Sequence, residues 1–316
     1  MKYIATKFFI AIIVLVSCAG GLLSQERYFD ERYIFQQSFL HPTLINPGAT
    51  GYHQGQELIF NYRNAWSDFN GSPKTVAASY DGILATRLGF GALFLQDSYA
   101  GLVTTKGQAS LSYMIVSPTN QLGFGLSAEY IQHRLKNGVI SDPLLNIQDQ
   151  LLLRRNDGTA FFDASFGAYG IYDKKLTYGV SFPSLISSRV DDTSSDLNRS
   201  LGVIFNLGYR IMSKSTGISV EPGLIVKKLN KIPTHATANA KFGFLQDKFI
   251  GGLSYTVGAD KLAGFLIGAT VDQVSFYYTY NVTSRTFQDY NNGAHEISVR
   301  LNLSAAKTAA PEQKME

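Results

Sequence analysis

One cysteine, Cys18, stands in a chain of 316 residues, and that scarcity excludes any intramolecular disulfide framework. Charge is scarce as well. Asp, Glu, Lys and Arg together make up 16% of the residues, against about 25% in ordinary soluble domains. The formal net charge of +4 is scattered along the chain, so the basic stripe of a nucleic-acid binder is missing. Beyond the N-terminus no stretch approaches the ~18 uninterrupted apolar residues of a spanning helix, which excludes helical membrane segments. Catalytic signatures are lacking too. There is no Gly-x-Ser-x-Gly, no Walker A loop and no Gly-x-Gly-x-x-Gly, and His295-Glu296 is followed by Ile297-Ser298-Val299 rather than completing His-Glu-x-x-His. The histidines His41, His53, His133, His235 and His295 lack metal-ligand spacing. The expectation is a protein without catalytic residues, cofactor or metal.

What is present points to one class. Aromatic residues reach 13% and glycines number 29, while the mean hydropathy is −0.01. Few charges, many Tyr and Phe, much Gly and no long apolar run form the composition of a transmembrane β-barrel. The N-terminus gives the compartment. Lys2 and Lys7 precede an apolar run from Phe8 to Val16, then small residues, then a polar ERYFDERY. That is the layout of a secretory signal peptide over residues 1–24, with Gln25 as the first mature residue. Cys18 in Leu15-Val16-Ser17-Cys18 also fits a lipobox; the alternative is a chance cysteine in a discarded peptide.

Alternation with period two recurs from residue 57 to residue 304. In AHEISVRLNLS, Ile297, Val299, Leu301 and Leu303 share one face, and Glu296, Ser298, Arg300, Asn302 and Ser304 the other. The pattern predicts fourteen strands at 57–64, 74–81, 87–97, 107–116, 121–133, 160–172, 176–183, 199–212, 216–228, 235–245, 249–257, 262–271, 274–281 and 294–304. The gaps sort by parity. Those after even-numbered strands are tight turns, whereas those after odd-numbered strands, such as 65–73, 98–106, 134–159, 184–198 and 282–293, are mostly longer. Outer-membrane barrels have short periplasmic turns and longer extracellular loops, and a soluble Greek-key sandwich has no reason to sort its loops this way. The fold expected is therefore all-β: a transmembrane antiparallel β-barrel of about 14 strands, in the outer membrane, over residues 57–304.

Two flanking segments and a set of charges remain. Residues 25–56 carry aromatics, prolines and turn glycines, and Phe35, Phe39, Leu40 and Leu44 require burial, which makes this segment a candidate plug of the lumen. Residues 305–316 read as a disordered tail. On the predicted faces Arg63, Asp81, Asp97, Glu129, Arg210, Glu296 and Arg300 point inward, where they could brace the barrel or a plug. The Gly-Phe-Gly repeats at Gly89 and Gly123 place small residues inward, relieving crowding or letting the wall bend. Asp191, Asp192 and Asp196 could bind calcium but lack EF-hand spacing, and with Arg154 and Arg155 they read as solvated loop residues.

Several short patterns occur in a fixed order: Asn46-Pro47, Gly51, Tyr62-Arg63-Asn64, Trp66, Pro73, Ser79, Asp81, Gly89, Gly91, Asp97, Gly101, and Gly293 with His295-Glu296. In this order over a signal-peptided barrel, up to about residue 303, the chain resembles the PorP/SprF family of type IX secretion outer-membrane proteins. Ala49-Thr50, and Ala294 where Thr is usual, depart from the family pattern. The resemblance implies a non-enzymatic component of the type IX secretion or gliding machinery of Bacteroidota. Such a component holds a secreted adhesin or other cargo by its C-terminal domain, or couples the translocon to the periplasmic machinery. Partners would be translocon subunits, cargo and membrane lipid, with no nucleic acid. The alternative reading is a small-solute outer-membrane channel; a soluble secreted β-protein would differ from both in needing no detergent.

Overall fold

The computed structural model describes residues 35–53, 55–66, 71–99, 101–136, 158–186, 188–189, 201–213, 215–229, 233–258, 261–283 and 293–303. Strands form wherever small or polar residues alternate with large apolar ones. They are β1 (Gln56–Ala65), β2 (Lys74–Ala85), β3 (Leu88–Tyr99), β4 (Leu102–Val116), β5 (Asn120–Leu135), β6 (Thr159–Tyr172), β7 (Leu176–Phe182), β8 (Ser188–Arg189), β9 (Val203–Tyr209), β10 (Ile211–Met212), β11 (Ser219–Lys228), β12 (His235–Phe244), β13 (Phe249–Val257), β14 (Leu262–Val271), β15 (Val274–Thr283) and β16 (Ala294–Asn302). β10 prolongs β9 past Arg210, and β8 is a two-residue piece laid against β6. The remaining staves make a closed antiparallel barrel of fourteen, as the pattern predicts.

Closure rests on two seams. β1 pairs β16 from Glu57↔Asn302 to Ala65↔Ala294, and β9 pairs β11 from Gly223↔Gly208 to Lys228↔Val203. No edge is left to water or lipid, which is the condition for a sheet to cross a bilayer. The outer face is an apolar band: Leu126, Ile267, Phe276 and Ile297 are all exposed in the isolated chain, Ile267 by 65%. Soluble proteins rarely show such a surface, so lipid is its solvent and the soluble-sandwich reading falls. The inner face carries Ser110, Ser112, Ser127, Asn61, Thr279 and Glu296, all buried.

The connections follow the predicted parity with one exception. At one end the turns are tight: residues 86–87, 117–119, 173–175, 245–248 and 272–273. The segment 98–106, expected to be a long loop at the other end, is instead a hairpin. β3 and β4 pair up to Tyr99↔Leu102, and Gly101 at φ 84° makes the turn. Ser98, Thr104 and Thr105 read as loop because they are polar; they pair across the ladder, and Thr104 is buried. The eighth predicted strand is broken at Arg210, and Ile204 in its middle is an inward apolar residue that simple alternation did not place. Residues 137–157 and 191–200, holding Arg154, Arg155, Asp191, Asp192 and Asp196, lie outside the described residues, as do the predicted signal peptide and tail.

Candidate functional site: the lumen and the strap within it

Residues 35–53 are a chain of three short 3-10 turns, Gln36–Phe39, Pro42–Leu44 and Pro47–Ala49, the last two opened by a proline at their first position. Proline is preset for that position and has no N–H to leave unpaired there. Helices this short cannot satisfy their own backbone, and the barrel wall supplies the partners. Near one end of the strap, the backbone N–H groups of Gln36 and Gln37 donate to the Glu296 carboxylate at 3.0 and 3.4 Å. Further on, Ser181 donates to the Ile45 carbonyl at 2.7 Å and Ser112 to the Thr50 carbonyl at 2.5 Å. The Gly51 N–H donates to Asp81 at 2.8 Å, and Gln121 to the Tyr52 carbonyl at 3.1 Å. The strap runs from Leu95 and Ala77, in the half of the barrel with long connections, to Asp81 and Gln121 beside the tight turns, where β1 begins.

Apolar side chains fill the gaps. Phe35 packs with Ala77, Leu93 and Leu95; Ile45 with Ile204, Ile225 and Leu229; Leu40 with Leu266 and Tyr277. The wall residues of these clusters point inward among polar neighbours, so the strap explains why they are apolar.

The tightest contact is backbone against backbone. Asn46 accepts from the Gly48 N–H at 2.9 Å, fixing the Asn-Pro-Gly turn, and its amide donates to the Ala168 carbonyl at 3.0 Å. The turn rests on β3, β5 and β6 where their inward positions are Gly89, Gly123, Gly125 and Gly167. A Cβ on Gly125 would overlap the Pro47 carbonyl, one on Gly123 the Gly48 carbonyl, one on Gly167 the Asn46 side chain, and one on Gly89 the Thr50 carbonyl. The Gly-Phe-Gly repeats are thus a seat for the strap, and a Cβ on Gly91 would crowd the Thr50 methyl at 3.1 Å.

The sequence-predicted residues divide by position. Asn46, Pro47, Gly51, Asp81, Gly89 and Gly91 belong to the seat. Glu296 anchors the start of the strap, takes a hydrogen bond from Asn61 at 3.0 Å, and has Arg63 at 4.0 Å. Asp97 accepts from Thr75 at 2.6 Å, and Ser79 occupies the inward row of β2 between them and Asp81. Glu129 faces inward, pairs with Lys106 at 2.8 Å and accepts from Ser127 and Ser165; Lys106 is 1% exposed. Arg300 lies 3.7 Å from Glu57 and over the Tyr277 ring, and Arg210 pairs with Asp247. The others are outside the lumen. Tyr62 faces lipid, and His295 meets the Tyr278 hydroxyl at 2.7 Å on the outer face. Trp66, at φ 57°, donates its N–H to the Gly293 carbonyl, the Pro73 carbonyl accepts from Ala65, and Gly101 turns the β3–β4 hairpin. Sequence reasoning missed Lys106, Glu57, Gln37 and Asp247, because partners on different staves share no spacing in the chain.

His41 is buried under Tyr277, and burial pushes its imidazole down to about 3, with Arg300, His53 and Lys241 adding to the effect. It is therefore neutral at any physiological pH. Among the described residues no group of His, Cys, Asp or Glu is arranged to hold a metal ion.

The strap leaves one side of the lumen unfilled. Between it and the walls formed by β6, β7, β9, β11, β12, β13, β15 and β16 lies a cavity of about 340 Å³, lined by Tyr52, His53, Tyr169, Asn206 and Asn239 among others.

Solved structures similar to this chain are barrels. The toluene transporter TbuX of Ralstonia pickettii matches over 82% of this chain and 92% of its own, at 9% identity and a TM-score of 0.50. Omp33, an outer membrane protein of Acinetobacter baumannii, matches over 79% and 98% at 7% identity and 0.48, and the CymD monoaromatic hydrocarbon channel over 85% and 93% at 12% and 0.48. No curated protein sequence matches the chain. The family described as type IX secretion system membrane protein PorP/SprF matches residues 30–301, nearly the whole barrel and strap. This chain belongs to the PorP/SprF family, and its closed barrel is an integral outer-membrane component of type IX secretion.

Proposed function

We propose that the barrel does not conduct solutes but works by binding protein, holding a secreted cargo by its C-terminal domain or coupling the translocon to the periplasmic machinery. The observation that carries this reading is the strap. Its backbone is hydrogen-bonded to staves on several sides of the lumen, from Glu296 through Ser181 to Ser112 and Asp81. A chain pinned along its length blocks a pore, and what remains for function is the surface at the two ends. The inward charges Asp97, Glu129 and Arg210 then serve to hold the wall and strap in register, not to guide a solute. Following the usual orientation, the tight turns face the periplasm and the longer connections face outward, where a cargo would be held. The reading is non-enzymatic.

The test is an affinity pull-down of the tagged protein from gently solubilised outer membranes of its own host, followed by mass spectrometry. Recovery of translocon subunits, or of one large secreted protein with a type IX C-terminal domain, is the expected result and says which branch applies. A barrel recovered alone that conducts ions in a planar bilayer overturns the reading in favour of a small-solute channel.

A further inference from the structure

The cavity beside the strap is a built polar cup, and we propose that it binds a carboxylate-bearing ligand arriving through the tight-turn mouth. Ile45 and Ile225 line it and belong to the apolar cluster with Ile204 and Leu229, which makes its inner end apolar, whereas Lys174, Lys175, Arg210 and Asp247 lie in or beside the tight turns. The volume of about 340 Å³ is at the small end of ligand sites, which run from about 300 to 1,000 Å³. It fits a small dicarboxylate or the tip of an extended peptide.

The lining gives the ligand its sign. Five cationic side chains, Lys174, Lys175, Arg210, Lys241 and Arg300, face the cup, against the carboxylates of Glu221 and Asp247. Lys241 pairs with Glu221 at 2.7 Å and Arg210 with Asp247. Arg300 is held less closely, 3.7 Å from Glu57, with a hydrogen bond to Ser275 at 3.2 Å and its guanidinium over the Tyr277 ring. Lys174, in the turn at the rim, has no carboxylate partner among the described residues, while its neighbour Lys175 holds Asp173. The amides of Asn206 and Asn239 add neutral donors to the same walls. A carboxylate entering here meets donors from β9, β12 and β16 at once, and each of those cations keeps a partner when the cup is empty. That is how a charged site stays stable unliganded.

The source of the ligand rests on the orientation given under the proposed function: with the tight turns in the periplasm, it is a periplasmic peptide or a small periplasmic acid. Isothermal titration of the full-length protein in detergent micelles tests the site directly. The probes are an acidic hexapeptide of Asp, Glu and Ser, its amidated Asn, Gln and Ser counterpart, and succinate. The acidic peptide is expected to bind at least about ten-fold more tightly than the neutral one, with Lys241→Gln and Arg300→Gln each weakening it about five-fold or more. Lys174→Gln, on an exposed turn where it cannot disturb the barrel, weakens it about two-fold and flattens its salt dependence. Glu221→Gln removes a competing carboxylate and tightens it. Succinate binding as well as the peptide assigns the same site to a small acid. Equal binding of acidic and neutral peptides, or none by any probe up to about 1 mM, overturns the proposal. Either result stands apart from the pull-down, which uses partners and not probes.

Discussion

The two sides of the lumen treat the strap in opposite ways. On β3, β5 and β6 the wall is bare: Gly89, Gly123, Gly125 and Gly167 let the Asn46-Pro47-Gly48 turn lie backbone to backbone, with no room for a single Cβ. On β11, β12 and β16, and at Arg210 just past β9, the wall carries long charged side chains held in ion pairs, and space is left over. The bare side fixes where the strap sits, because a shape-matched contact tolerates no alternative position. The charged side fixes what remains open, because arginine and lysine stems prop the wall away from the strap. Position and vacancy in the lumen are thus set by different residues on different staves.

The largest effect is expected at the bare side. Gly125→Val puts a branched side chain where the Pro47 carbonyl now lies. Neither side can yield, since β5 is held by its ladders to β4 and β6 and the turn by Asn46. Overpacking costs about 1–3 kcal/mol where side chains can shift, and here backbone must move, so residues 46–50 leave the seat. Limited proteolysis of the detergent-solubilised barrel should cut within 35–53 at least about thirty-fold faster than in the wild type while the barrel itself keeps its β-sheet circular dichroism. Unchanged protection breaks the claim that the glycines position the strap.

Glu296→Ala comes next. The carboxylate takes hydrogen bonds from the Gln36 and Gln37 backbone and from Asn61, and Arg63 lies 4.0 Å away. Its loss leaves buried donors unmet, at about 1–3 kcal/mol, but affects only one end of the strap. The expected result is protease sensitivity near residue 36 with residues 46–51 still protected. Release of the whole segment instead would show that the glycine seat holds nothing by itself.

Acidity probes the charged side. His41 is neutral in the docked strap because burial lowers it to about 3 from its ordinary 6.5. The undocked strap therefore binds a proton that the docked one refuses between those values. Docking is at full strength above pH 6.5 and weakens as the pH falls, by up to ten-fold, about 1.4 kcal/mol, per unit from this group. The groups facing His41 are Arg300 on β16, Lys241 on β12 and His53 on the strap itself, with the Tyr277 ring edge-on at 5.8 Å. Protection measured at pH 7.5 and 5.5 should drop at least about ten-fold, since burial lowers His53 on the strap as well, and His41→Phe, which keeps the packing without this group's titration, should reduce the slope. An equal slope in the variant would assign the effect to other groups.

How much of this was legible beforehand depends on the range of the interactions. Each stave is a local alternation, so Leu122 to Tyr130 or Val274 to Asn281 gives its two faces away without any neighbour, and the count of staves followed. The β3–β4 hairpin was not legible, because Ser98, Thr104 and Thr105 look like loop until their cross-strand partners are known. In the lumen the inward charges were readable by parity, but their pairings were not: Lys106 with Glu129 and Glu57 with Arg300 are joined only by register. The glycine seat sits between these cases. The repeated Gly-Phe-Gly placed small residues on the inner wall, and the segment around Asn46-Pro47 carried prolines and turn glycines; only the fold brings the two together.

The smallest effect is predicted where a glycine has no neighbour to displace. A methyl group added to Gly251 on β13 would meet nothing within 4 Å, unlike one on Gly123 or Gly167. Gly251→Ala should therefore leave strap protection unchanged, and by restricting the unfolded chain it should raise barrel stability by about 0.4–1 kcal/mol. Urea unfolding in detergent micelles measures the second quantity and proteolysis the first. The contrast with Gly125→Val is the sharpest form of the comparison. The same residue type is replaced in both, and burial is changed by one to a few carbons. If both substitutions released the strap, loosening of the whole wall would be the cause and the bare patch would have no special part. If only Gly125→Val does so, the seat is a local, shape-selective feature of β3, β5 and β6.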